Sequence, residues 1–174
     1  GDQGELVFVT PRLPSGGLPA PGSEKWQAMA RRPLMLFIGR RPTWDLQVRR
    51  PSHPRYALPA YLAASLDLAK FDAKGQFQVV VVESPGRIPV GHLATMLEGL
   101  SEVLPFDSKR LVLVGEGQGA SSVVDLALDH PTRVAGLVVF GNSGGLATPQ
   151  LRTLKAVPIL AIKLQGQTIG AAGI

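Results

Sequence analysis

Cysteine is absent from this sequence, which removes disulfides, thiolate metal sites and cysteine nucleophiles together and leaves the redox compartment open. Histidine is scarce, with His53, His92 and His130 the only three. No His, Asp or Glu stand at metal-ligand spacing, so neither a metal nor any other cofactor is expected. Long hydrophobic runs are missing too. Nothing approaches the ~20 apolar residues of a membrane-spanning helix, so the chain reads as soluble, with no membrane partner. Aromatic residues make up only 6% of the chain and do not interleave with its basic residues, so nucleic acid is not an expected partner. No charged-then-apolar leader is present; the start at Gly1 reads as processing, and the localisation is not legible.

What the chain does have is enough apolar material for one core. Its 174 residues are 45% hydrophobic, which suits a single domain and is too little for two comfortable ones. The formal charge of +5 is placed unevenly. Residues 1–55 hold nine Lys and Arg against four Asp and Glu, with pairs at Arg31-Arg32, Arg40-Arg41 and Arg49-Arg50. Such a segment could steer an acidic partner, a phosphate-bearing ligand or nucleic acid, but no aromatic-interleaved motif accompanies it and a solvated surface is the expectation.

Along the chain, a β-like run from Glu5 to Thr10 leads into the Pro- and Gly-rich stretch Pro11 to Ser23, which has no period and reads as an arm. Residues 1–32 are therefore set apart from a core over 33–174. Leu34 to Ile38, Phe77 to Val82, Leu111 to Val114, Val134 to Phe140 and Val157 to Ile162 are short apolar runs rich in β-branched residues. They have the length and composition of strands buried on both faces. Between them, Leu58, Tyr61, Leu62, Leu66 and Ala69 recur at helical spacing, as do Val90, Leu93, Ala94, Leu97, Leu100 and Leu104 up to Pro105. A third helix is expected from about Ala120 to Asp129, stopped by His130-Pro131. Strands alternating with helices predict an α/β fold, a three-layer αβα sandwich around a mainly parallel sheet.

The segment Leu111-Val112-Leu113-Val114-Gly115-Glu116-Gly117-Gln118-Gly119-Ala120 is the most specific in the chain. It resembles the nucleophile elbow of the α/β hydrolases, in which a strand, G-x-S-x-G and a helix follow in that order. The flanks, Phe106 to Arg110 and Leu126 to Val134, are similar to esterases of the polyhydroxybutyrate-depolymerase and dienelactone-hydrolase kind. The resemblance runs from about Pro33 to Gln165 and implies a truncated α/β-hydrolase-like core. Gly115 and Gly119 match the flanking glycines, while Gly117 stands where the serine would be. The resemblance also implies an oxyanion-hole-like pair, Gly39 and the backbone N–H of Gln118.

The rest of that chemistry is missing. The loop expected to carry an acid, Lys163 to Gln167, has no carboxylate, and the other position used by relatives is Asn142. All three histidines precede Val157, so none stands where the base should. Ser121 and Ser122 fall in the first turn of a helix and Ser143 in a loop; cap and turn roles explain them. His92 is expected to be partly buried beside a helix's apolar face, and His130 to end a helix.

Gly115-x-Gly117-x-x-Ala120 also fits a loosened dinucleotide fingerprint, but Phe140-Gly141-Asn142 lacks the acidic residue that would hold a ribose. The expectation is therefore a non-catalytic, pseudoenzyme-like domain with no confident catalytic residue. Two alternatives stand beside it. One is a serine-type hydrolase whose catalytic residues are lost by truncation or substitution; the other binds an anion or small molecule at the vacant elbow. The apolar strand Val157 to Ile162 is expected at a sheet edge, covered either by the Glu5 to Thr10 run or by a second copy in a homodimer.

Overall fold

The computed structural model describes residues 7–9, 18–39, 76–84, 86–140 and 153–162. Its strands are β1 (Val7–Val9), β2 (Pro33–Gly39), β3 (Gln78–Glu83), β4 (Asp107–Glu116), β5 (Val134–Phe140) and β6 (Ile159–Ile162). The helices are α1 (Glu24–Ala30), α2 (Val90–Val103) and α3 (Gln118–Asp129). The strands form one six-stranded sheet in the order β1-β3-β2-β4-β5-β6. Every neighbouring pair is parallel except β1 with β3, where Phe8 lies opposite Val82 in antiparallel register. The expected α/β architecture with a mainly parallel sheet is the one found.

Burial explains why these runs became strands. Leu34, Leu36, Ile38, Val80, Val82, Leu111, Leu113, Leu137 and Val139 alternate onto one face of the sheet. There they pack against Leu93, Met96 and Leu97 of α2 and Val123, Leu126 and Ala127 of α3. Met35, Phe37, Val79, Val114 and Phe140 point to the opposite face and are buried as well. A strand buried on both sides has no polar positions to spare, which is why these segments read as continuous apolar runs. The helix expected around 58–69 lies outside the described residues.

Several boundaries move. β4 begins at Asp107, four residues before its apolar run, because Asp107 N–H donates to Arg32 O at 2.8 Å and anchors a polar lead-in. α3 begins at Gln118 rather than near Ala120. β6 starts only at Ile159, since Val157 N–H closes a turn onto Leu154 O and Pro158 has no N–H to give.

Directly after the expected arm, where no element was expected, lies α1, which Ser23 caps by accepting a hydrogen bond from Trp26 N–H at 3.2 Å. The Glu5 to Thr10 run contributes β1, but at the β3 edge, the opposite end of the sheet from β6. It therefore does not cover β6, and no described strand lies on the outer side of that edge.

Candidate functional site

The connection from β4 to α3 turns at a single residue. Gly117 holds φ +56° and ψ −119°, a backbone conformation that L side chains rarely adopt, and it passes the chain directly from strand to helix. Its neighbours are glycine for another reason. A Cβ on Gly115 would meet Val123 Cγ2 at 2.5 Å and Ala120 Cα at 2.6 Å. One on Gly119 would run into the carbonyl of Ile38, with the carbonyl carbon at 2.7 Å. A Cβ on Gly117 would meet nothing within 4 Å. The outer glycines thus let α3 close onto β4 and β2, and the central one sits at an open, strained vertex.

Close packing of Gly119 on Ile38 brings the start of α3 beside the end of β2. Gly39 and Gln118, expected as a pair, accordingly belong to neighbouring elements at the same rim of the sheet. The sheet order places this rim at a switch point. The chain goes from β2 outward to β3 on one side and from β4 outward to β5 and β6 on the other. The carboxyl ends of β2 and β4, where the direction reverses, are Gly39 and Glu116.

Glu116 is one of the elbow residues named from the sequence, where it carries no role of its own. Leu111, Leu113 and Gly115 face the helices, so Glu116 faces the opposite side, in register with Phe140 on β5. Its Oε2 lies 3.2 Å from where a Cβ on Gly39 would stand, beside the Phe37 ring. That oxygen is buried and has no hydrogen-bond partner among the described residues. Burial pushes the carboxyl above the ordinary range, because removal from water penalises its charged form. The available signal was a lone carboxylate ending an otherwise apolar parallel strand. What the sequence did not show was that Gly39 would be its neighbour.

The other candidates fall elsewhere. Ser122 is fully buried, accepts a hydrogen bond from Ile88 N–H at 2.8 Å and so ties the segment after β3 to α3. Ser121 is half-buried in the same helix. His92 is exposed at the start of α2, contrary to the expected partial burial, because the packed stripe of that helix runs through Leu93, Met96 and Leu97. His130 caps α3, its N–H donating to Leu126 O. Asn142, Ser143, His53 and the 163–167 loop lie outside the described residues. Among the described residues no group of three His, Asp or Glu could hold a metal, and no helix is long and apolar enough to cross a membrane. An open groove of about 590 Å³ between Arg87, Pro89, Asp125 and Leu128 contains none of the elbow residues.

No family model matches the sequence, and no curated protein does. Solved structures do. A thermostable esterase is similar at a TM-score of 0.50 and 16% identity, over 90% of this chain. This chain has the α/β-hydrolase fold. It spans 45% of that esterase's length. A ferulic acid esterase is also similar, at a TM-score of 0.45 and 12% identity over 79% of this chain and 57% of its own. So is Epoxide Hydrolase A from Mycobacterium thermoresistibile, at 0.41 and 17% over 87% and 41%. In the α/β-hydrolase fold the strained strand-to-helix turn exposes a nucleophilic side chain. Here the vertex is Gly117, with none.

Proposed function

We propose that this α/β-hydrolase-like chain is a non-catalytic module whose elbow serves binding or structure rather than acyl transfer. The observation that carries this reading is Gly117 itself: the turn keeps the strained geometry, and the position that geometry exists to expose has no reacting group. Gly39 and the Gln118 N–H act in this reading as remnants of an oxyanion site, and donors without a nucleophile or base do not make an acyl-transfer enzyme. The core of the module is 33–174, with 1–32 as its N-terminal segment. Turnover of p-nitrophenyl acetate and butyrate tests the reading, with no rate expected above a denatured-protein blank.

One observation favours a second reading, a serine-type hydrolase altered at its vertex. The space at Gly117 is open, so a serine fits there without a clash. The reading predicts measurable turnover in Gly117→Ser; the non-catalytic reading predicts none.

A homodimer through the β6 edge is proposed on separate grounds. Leu160 is 54% exposed and Ile159 37%, the strand carries no charge, and no described strand pairs with its outer side. An uncharged, apolar edge of this kind is a template for pairing with a second strand.

A further inference from the structure

We propose that the amino end of the sheet, where Arg31, Arg32, Lys109, Arg110 and Arg133 gather, is a docking surface for an acidic, carboxylate-bearing segment of a partner protein. In the sequence these cations are scattered over three segments. Parallel strands start at one end, so the lead-ins of β2, β4 and β5, neighbours in the sheet, bring them into a row. At ordinary strand spacing that row is roughly 10 Å across, the length of a few extended residues. β4 pushes its share outward: Pro33 lies opposite Asp107 and Leu34 opposite Leu111, so Ser108, Lys109 and Arg110 are looped out between them. The row is at the opposite end of the sheet from the elbow, and its occupancy does not depend on whether the elbow reacts.

Part of the row is fixed before any partner arrives. Lys109 N–H donates to Asp107 Oδ1 at 3.0 Å, Arg110 Nε to Asp107 Oδ2 at 2.7 Å, and Arg110 Nη2 to Arg31 O. Arg133 Nε donates to Ser108 O at 3.1 Å. Ordering long side chains in advance removes part of the entropy cost of binding. Asp107 is already engaged, since the Arg110 guanidinium and then the Lys109 N–H hold its carboxyl below the usual carboxylate range. Arg31 and Lys109 are exposed, and neither they nor Arg32 has an ion pair among the described residues. The helices add Glu102 in the last turn of α2 and Asp129 at the end of α3, the latter 3.2 Å from His130, which leaves the cations in excess. Nucleic acid, an anionic membrane and an acidic peptide all suit a cationic row, and the surroundings favour the peptide. Phe106, beside the β4 lead-in, is buried and offers no face for base stacking. Val103, 60% exposed at the end of α2, is too little apolar surface to anchor in a membrane, but it suits an apolar side chain set among carboxylates. Arginine forks bind carboxylates bidentately.

The probe for the full chain is a fluorescein-labelled peptide of alternating Glu and Ala, matched by one of alternating Gln and Ala and read by fluorescence anisotropy. The Glu peptide is expected to bind saturably and to weaken as salt is raised, and the Gln peptide to bind far less. Arg31→Glu combined with Lys109→Glu, at exposed positions, should weaken the Glu peptide by roughly tenfold or more. Lys109→Gln alone, the milder change, should weaken it by about threefold. Arg87→Gln removes a cation paired with Asp125 in the groove on the helix side and should leave affinity within about twofold. Four results would each overturn the proposal: no saturable binding, equal binding of the two peptides, an equal loss in Arg87→Gln, or tighter binding of oligothymidylate or of vesicles of phosphatidylcholine and phosphatidylserine in equal parts.

Discussion

Glu116 is a residue whose position was legible and whose situation was not. From the sequence it is the variable residue of a glycine-rich turn. In the fold the parallel register of β2 with β4 lays its carboxyl over the bare Cα of Gly39, where Oε2 is shut away from water without a hydrogen-bond partner among the described residues. A raised pKa means the folded state holds this proton more tightly than the unfolded chain. The contribution to stability is then full below the ordinary glutamate value of ~4.3 and is lost as pH rises through the higher folded value. Glu116→Gln, which never ionises, should therefore be more stable than wild type at neutral pH, with the difference shrinking to nothing below about pH 4. Urea unfolding midpoints across pH check this; a Gln variant less stable than wild type at pH 7 would mean that the ionised carboxylate has a partner.

At the scale of elements, the strand and helix framework was legible wherever burial left a periodic or continuous apolar trace, as in Val79 to Val82 or Leu93 and Leu97. It was illegible where an element is held by polar contacts. α1 buries only Met29, so its only sequence marks are the Ser23 cap and Glu24 in the first turn. The extension of β4 back to Asp107 rests on Arg110, which donates to Asp107 Oδ2 at 2.7 Å and also to Arg31 O, contacts with no hydropathy signature. The elbow shows the same division: its glycines were visible, but their separate reasons were not. Gly119→Ala should destabilise by about 2 kcal/mol or more, since a methyl there overlaps the Ile38 carbonyl and α3 must back away. Gly117→Ala meets no atoms and should cost only the ~1–2 kcal/mol of its left-handed backbone. Thermal or urea midpoints of the two variants give the order, and an equal cost for both would contradict the packing account.

For the whole molecule, the sheet has two edges of different character. β1 closes the β3 side in antiparallel register, while β6 leaves Ile159, Leu160 and Ala161 exposed on the other. The expectation that Glu5 to Thr10 might fold back over β6 fails for a geometric reason: the same few residues cannot pair at both ends of a six-stranded sheet. If a second copy covers β6, light scattering across a dilution series should show a dimer that dissociates on dilution, and Leu160→Lys should shift it to monomer by placing charge on the edge. A monomer at every concentration would remove the dimer and leave the α/β-hydrolase fold as it stands.

In the proposed reading the fold keeps the elbow and lacks the reaction, and one measurement tests this most directly: p-nitrophenyl butyrate hydrolysis by the wild-type chain and Gly117→Ser side by side, each against its own denatured blank. The predicted result is no turnover in either, because the vertex of the first has no nucleophile and the serine of the second has no base to activate it. Turnover by the wild type would show a nucleophile placed away from the vertex, and turnover by Gly117→Ser would show that base and acid are present and that only the serine had been lost.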